Sequence, residues 1–134
     1  MKILITTVPF GQVDDKPLID LKKNNIQYVI NPLNRKLQPG ELVELIDDFD
    51  VIIAGTEMID KEVFDKAKKL KFISRVGIGL DGIDLKYAKE KGIKVSYTPD
   101  APAPAVAELT IGLMISLIRS VNCCLLYTSD AADE

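Results

Sequence analysis

The chain has 134 residues, 47% of them hydrophobic and 28% charged, with 17 basic against 20 acidic side chains and no histidine. This is the composition of one soluble globular domain, and no block of like charge offers a grip on nucleic acid or a membrane surface, so small molecules are the expected partners. Without an imidazole, these residues can build neither a Ser/His pair, nor a histidine general base, nor a His-ligated metal site.

Short runs rich in Val and Ile alternate with amphipathic stretches along the chain. The first strand is predicted over 2–7. It is too short for the apolar region of a secretory signal and lacks a small-residue cleavage site, which points to a cytoplasmic protein. A Pro/Gly/Asp loop leads to a helix near 16–24. The second strand, 26–30, precedes Asn31-Pro32 and a helix near 39–47 with Pro39 suited to its first turn. The third strand, 51–54, is followed by Asp60, a candidate N-cap for a helix over 61–70. The fourth, 72–76, runs into Gly-Ile-Gly-Leu-Asp-Gly and a short helix of about 85–91 that ends at Gly92. The fifth, 93–97, leads through Pro99 to Pro104 into a long apolar helix over 105–120. That apolar run is broken by Glu108 and Thr110 and falls short of the ~20 residues a membrane span requires, so it reads as a buried helix. Five strand and helix units imply an α/β fold, a doubly wound parallel sheet, and the near-continuous apolar strands are those of a sheet covered on both faces.

The adjacent Cys123 and Cys124 fit neither a disulfide framework nor a zinc site. From Cys124 onward, Cys-Leu-Leu-Tyr-Thr-Ser-Asp-Ala-Ala-Asp-Glu follows a strong helix without turn or cap logic and resembles the conceptual translation of a transposase-based sequencing adapter. Residues 123–134 are therefore read as a non-native tail and left out of the fold, and the natural chain is expected to continue differently.

A doubly wound sheet binds ligands at the carboxyl ends of its strands, which directs attention to two loops. After the third strand, Gly55-Thr56-Glu57 offers a backbone free of Cβ and a hydroxyl, or is a simple turn. After the fourth, Gly77 to Gly82 spells G-x-G-x-x-G. Three features count against a dinucleotide fingerprint there: its place on the fourth strand, the short helix after it, and Asp81 inside the turn. The backbone amides of Val76, Gly77 and Ile78 could instead cradle a smaller anion such as a carboxylate. Arg75 ends a strand and Arg119 closes a helix where a cation suits the dipole, so neither is taken as catalytic.

The stretch Leu70 to Asp84, then Gly92-Ile93-Lys94-Val95, then Thr98 to Thr110 with its Ala-Val-Ala-Glu, resembles the D-isomer-specific 2-hydroxyacid dehydrogenases, most of all the D-3-phosphoglycerate dehydrogenase branch. The resemblance implies a flavodoxin-like substrate domain over 1–98 and a hinge and crossover helix over 99–122 leading to a Rossmann NAD domain outside this chain. It also implies a cytoplasmic homodimer acting with NAD on the CH–OH group of D-3-phosphoglycerate or a related acid, as a 2-hydroxy/2-oxo acid pair. Carried over by position, it implies that amides at Val76 and Gly77 bind the substrate carboxylate and that Ile78 and Val106 face the nicotinamide; Gly55 and Thr56 are added as substrate-binding candidates from their place at the end of the third strand. The catalytic His, its carboxylate partner and the substrate-orienting Arg are expected outside these residues, and no metal is expected. The family usually has Asn at Gly82, and its phosphoglycerate branch commonly has Arg at Ala54. The alternative is a stand-alone flavodoxin-like module that binds a small ligand or regulates. It would need an acidic cluster or a phosphate loop at the strand ends, and Pro9-Phe10-Gly11-Gln12 offers neither.

One consequence is directly measurable. The purified 134-residue chain is expected to form no NADH from any D-2-hydroxy acid; measurable turnover would contradict the assignment of the proton-transfer group to residues outside it.

Overall fold

In a computed structural model, which describes residues 1–121, 123 and 124, the chain divides into a unit Met1–Pro99 and a second unit from Asp100 onward. The first holds a parallel sheet of β1 (Lys2–Ile5), β2 (Gln27–Ile30), β3 (Val51–Ala54), β4 (Phe72–Arg75) and β5 (Lys94–Ser96), in the order β2-β1-β3-β4-β5. The helices between them are α1 (Lys16–Lys23), α2 (Glu41–Leu45), α3 (Lys61–Lys66) and α4 (Leu85–Glu90). This is the flavodoxin-like α/β class expected from the alternation of elements.

Helix ends follow local chemistry. The Asp60 carboxylate accepts from the amides of Glu62 and Val63, and Asp84 accepts from Tyr87, so both acids cap helices as their types favour. Gly92 has φ +71°, the left-handed conformation that ends a helix without a Cβ penalty. The helix expected from Pro39 starts two residues later, because Gly40 takes φ +88° at the N-cap and Pro39 stays outside. The predicted 61–70 helix stops at Lys66, the amide of Lys68 turning back to the Lys66 carbonyl.

Leu4, Ile52 and Ile73 from the three central strands pack with Leu42, Ile46, Val63, Phe64 and Ala88 into the core. Each such side chain contributes about 1.5–3 kcal/mol when fully buried. Helices α2, α3 and α4 cover this face side by side. The crossover of α1 runs the opposite way along the sheet, so the right-handed rule assigns it to the other face. There Ile3 and Ile5 are buried while Val51, Ile53 and Phe72 are only half-buried. The expectation of two fully covered faces therefore holds for one face.

The second unit contains α5 (Ala103–Ile118), which starts and stops two residues earlier than expected, with Pro104 in its first turn. It was expected to be buried. Its large side chains are exposed instead, reaching 78% at Leu117 and 80% at Ile118, because it is apolar on all sides and a helix of that kind needs partners on more than one face. Among the described residues, no helix is long and apolar enough to cross a membrane. The adapter-like stretch falls almost wholly outside the described residues.

Asn31 is the fully buried polar side chain that shapes the segment after β2. Its Nδ2 donates to the Arg35 carbonyl at 2.8 Å and its Oδ1 accepts from the Leu33 amide at 2.9 Å. Replacing it by Leu leaves both backbone groups without their partner. Asn31→Leu is expected to cost about 2 kcal/mol, read as a lower urea midpoint at unchanged slope. An unchanged midpoint would contradict this.

Candidate functional site

The strand order reverses its winding between β1 and β3, and a crevice opens at the carboxyl ends of those two strands. Thr6 to Pro9 follow β1 and Gly55 to Glu57 follow β3; with Lys36, Leu37 and Val76 they line a cleft of about 210 Å³. A larger cavity of about 420 Å³ shares Lys36, Leu37, Thr56 and Glu57 and continues toward Gln38, Met58 and Glu62. The wall that carries Lys36 is held by the bidentate pair Arg35 to Glu41, at 2.6 and 2.9 Å, which keeps the Glu41 carboxyl below the usual carboxylate range.

Of the residues singled out in the sequence, Gly55, Thr56 and Val76 line this cleft, and Gly77 and Ile78 follow directly along the chain. Their backbone groups are not equally free. The Val76 amide donates to the Ala54 carbonyl at 2.9 Å, extending the β3–β4 ladder, so it is unavailable to a ligand. The expectation that Val76 supplies an amide to a carboxylate is corrected on that ground. The Gly77 amide closes a three-residue turn on the Arg75 carbonyl at 3.1 Å, a weak arrangement that a charged acceptor can replace. Ile78 is exposed, and its amide has no hydrogen-bond partner among the described residues. The Gly55 amide is engaged too, donating to Glu57 Oε1 at 2.9 Å.

Arg75, set aside in the sequence as a strand end, lies beside this loop. Its guanidinium folds back over the loop, donates to the Val76 carbonyl, and lies where a Cβ on Gly77 would meet Nη1 at 2.7 Å. Gly77 has φ +142°, so both its backbone conformation and the space beside it require glycine. The available signal was position alone, the last strand residue before a glycine loop. The Arg75 guanidinium and the Gly77 and Ile78 amides thus share one corner of the same short loop and are donors of the kind a carboxylate accepts.

The G-x-G-x-x-G string does not fit a dinucleotide pyrophosphate. Helix α4 has six residues, and the Asp84 carboxylate already occupies its N-terminus at the Tyr87 amide, 2.9 Å away. At Gly82 a Cβ would stand 3.1 Å from the Glu57 carbonyl oxygen, a contact that a small shift of that carbonyl relieves. Ile78 and Val106 are both exposed apolar side chains, one in each unit. Among the described residues no group of His, Cys, Asp and Glu is arranged to hold a metal.

A flavodoxin-like parallel sheet with a crevice at its switch point is an α/β architecture of the kind that takes ligands at the carboxyl ends of its strands. The chain belongs to the D-isomer specific 2-hydroxyacid dehydrogenases, whose catalytic-domain model matches residues 3–134. It is 40% identical over 108 residues to a hydroxypyruvate reductase of Thermotoga maritima, a match covering 80% of this chain and 35% of that protein. It is 48% identical over 87 residues to a D-3-phosphoglycerate dehydrogenase of Methanocaldococcus jannaschii, covering 63% and 16%. Among solved structures, the NAD+-bound 3-phosphoglycerate dehydrogenase of Entamoeba histolytica superimposes with a TM-score of 0.75 at 34% identity, over 87% of this chain and 38% of that one. The chain thus spans about a third or less of the curated relatives it matches most strongly.

Proposed function

We propose that this chain is the substrate-binding part of an NAD-dependent oxidoreductase that acts on the CH–OH group of a small D-2-hydroxy acid, D-3-phosphoglycerate or a related acid. The carrying observation is the corner formed by Arg75, Gly77 and Ile78 at the edge of the β1/β3 crevice. In this reading the amides of Gly77 and Ile78 and the Arg75 guanidinium hold the carboxylate, and the hydroxyl-bearing carbon and tail enter the cleft past Val76, between Gly55-Thr56 and Lys36. Residues 1–98 form the first part of the substrate domain, and residues 99–122 the hinge and crossover helix. The division of the chain after Pro99 supports that boundary. The open apolar surface of α5 supports a covering domain, which in this reading binds NAD and supplies the proton-transfer group. Ile78 and Val106 offer apolar surface to the nicotinamide side, and their exposure leaves them free to do so. The working protein is a cytoplasmic homodimer in this reading, in line with the family resemblance.

The full-length gene product is expected to reduce NAD with the D enantiomer of a small 2-hydroxy acid and not with the L enantiomer; the reverse preference, or none, would overturn the proposal. In the same protein, Gly77→Val strains the loop and pushes the Arg75 guanidinium aside. Losing hydrogen bonds to a charged group, each worth about 1.5–3 kcal/mol, raises substrate KM about tenfold or more while NADH titration is unchanged. Gly82→Asn asks the Glu57 carbonyl to yield slightly and leaves both constants near wild type. A Gly82→Asn protein that loses NADH binding at unchanged KM would restore the dinucleotide fingerprint.

A further inference from the structure

The loop after β3 contains a carboxylate already seated on hydrogen-bond donors. Glu57 Oε1 accepts from the Gly55 amide at 2.9 Å and from the hydroxyl of Thr6, a residue only 2% exposed. The Thr6 hydroxyl is placed to donate either to Glu57 or to the Ile53 carbonyl 3.1 Å away, and it accepts from the Gly55 amide at 3.2 Å, which ties it to the same loop. Gly55 makes the arrangement possible: a Cβ there would stand 2.9 Å from Glu57 Oε2. The acid is thereby pinned by two donors on two adjacent strand ends, half-buried, in the wall of the 210 Å³ cleft.

We propose that Glu57 is a specificity-determining residue, whose pinned carboxylate restricts the cleft to 2-hydroxy or 2-oxo acids with no second anionic group in the tail. The inference rests on the reading of the Arg75, Gly77 and Ile78 corner as the carboxylate site, and within that reading it selects the related unphosphorylated acids over D-3-phosphoglycerate. The electropositive corner matches one negative charge. A tail entering the cleft past Val76 meets the fixed charge of Glu57, and a phosphate there adds about two negative charges at neutral pH. Lys36 lines the same cleft, but it is exposed and forms no ion pair among the described residues, so solvent and salt screen it more than they screen the pinned acid. The distinction separates the substrates for which two relatives are named, a hydroxypyruvate reductase and a D-3-phosphoglycerate dehydrogenase.

The test titrates the isotopically labelled chain with D-glycerate and with 3-phospho-D-glycerate at one ionic strength, following the Gly77 and Ile78 amide resonances. Wild type is expected to bind glycerate the more tightly. Glu57→Gln keeps an acceptor for the Gly55 amide and removes the charge. It is expected to shift the ratio of the two dissociation constants toward the phosphorylated acid by roughly fivefold or more, from Coulomb repulsion at partly solvated separations. Gly55→Ala, which displaces the flexible end of Glu57, is expected to shift the ratio the same way. Spectra that superimpose away from the cleft establish that both variants are folded. Tighter binding of the phosphorylated acid to wild type, or a ratio unmoved in both folded variants, would overturn the role of Glu57 while leaving the carboxylate corner intact. If neither acid moves Gly77 or Ile78, the reading of that corner falls and the proposal with it.

Discussion

The reversal of winding between β1 and β3 is the constraint from which the rest follows. In a parallel sheet ordered β2-β1-β3-β4-β5, the chain leaving β1 and the chain leaving β3 turn toward opposite faces, so their first residues part and leave a crevice that no helix fills. The backbone groups at those strand ends need partners, and the crevice is where short polar side chains and a ligand compete to supply them. Thr6, Gly55 and Glu57 meet there for that reason. Asn31, at the end of the neighbouring strand, ties down the segment that forms the opposite wall.

Charge is divided between the two ends of the same sheet. At the amino ends of the strands Asp50 accepts the Lys2 amide and the Lys71 ammonium, and Asp48 accepts from Lys69 and Lys2. These contacts hold both carboxyls below the ordinary carboxylate range. They are exposed pairs that fasten strand starts and contribute little each. At the carboxyl ends, by contrast, Arg75, Lys36 and Glu57 make no ion pair among the described residues and face the cleft or its rim. Apart from the Arg35–Glu41 pair in the cleft wall, these paired charges lie at the amino ends of the strands and the unpaired ones at the carboxyl ends.

The elements themselves were legible because each depends on neighbours in sequence. Asp60 and Asp84 cap the helices that follow them, Gly92 ends one, and the Val and Ile runs become strands within a residue or two of the expected bounds. Where expectation and structure part, the cause is a contact or a conformation that residue type alone does not specify: Gly40 in a left-handed conformation kept Pro39 out of its helix, and the exposed flanks of α5 belong to a helix that needs more than one partner.

Composition, periodicity and a family-like glycine loop were enough to determine the fold class, the end of the sheet that carries the candidate site, and the kind of chemistry these residues cannot complete without a histidine. Which groups in the site are free was decided only by the tertiary structure. Parallel pairing sets Ala54 beside Arg75, and that register spends the Val76 amide on the Ala54 carbonyl. The turn that follows brings the guanidinium over Gly77, and pairing of β1 with β3 brings Thr6 to Glu57 across 51 positions in sequence. A hydrogen bond between adjacent strands depends on register, and register is fixed by packing across the whole sheet rather than by the residues on either side of a loop.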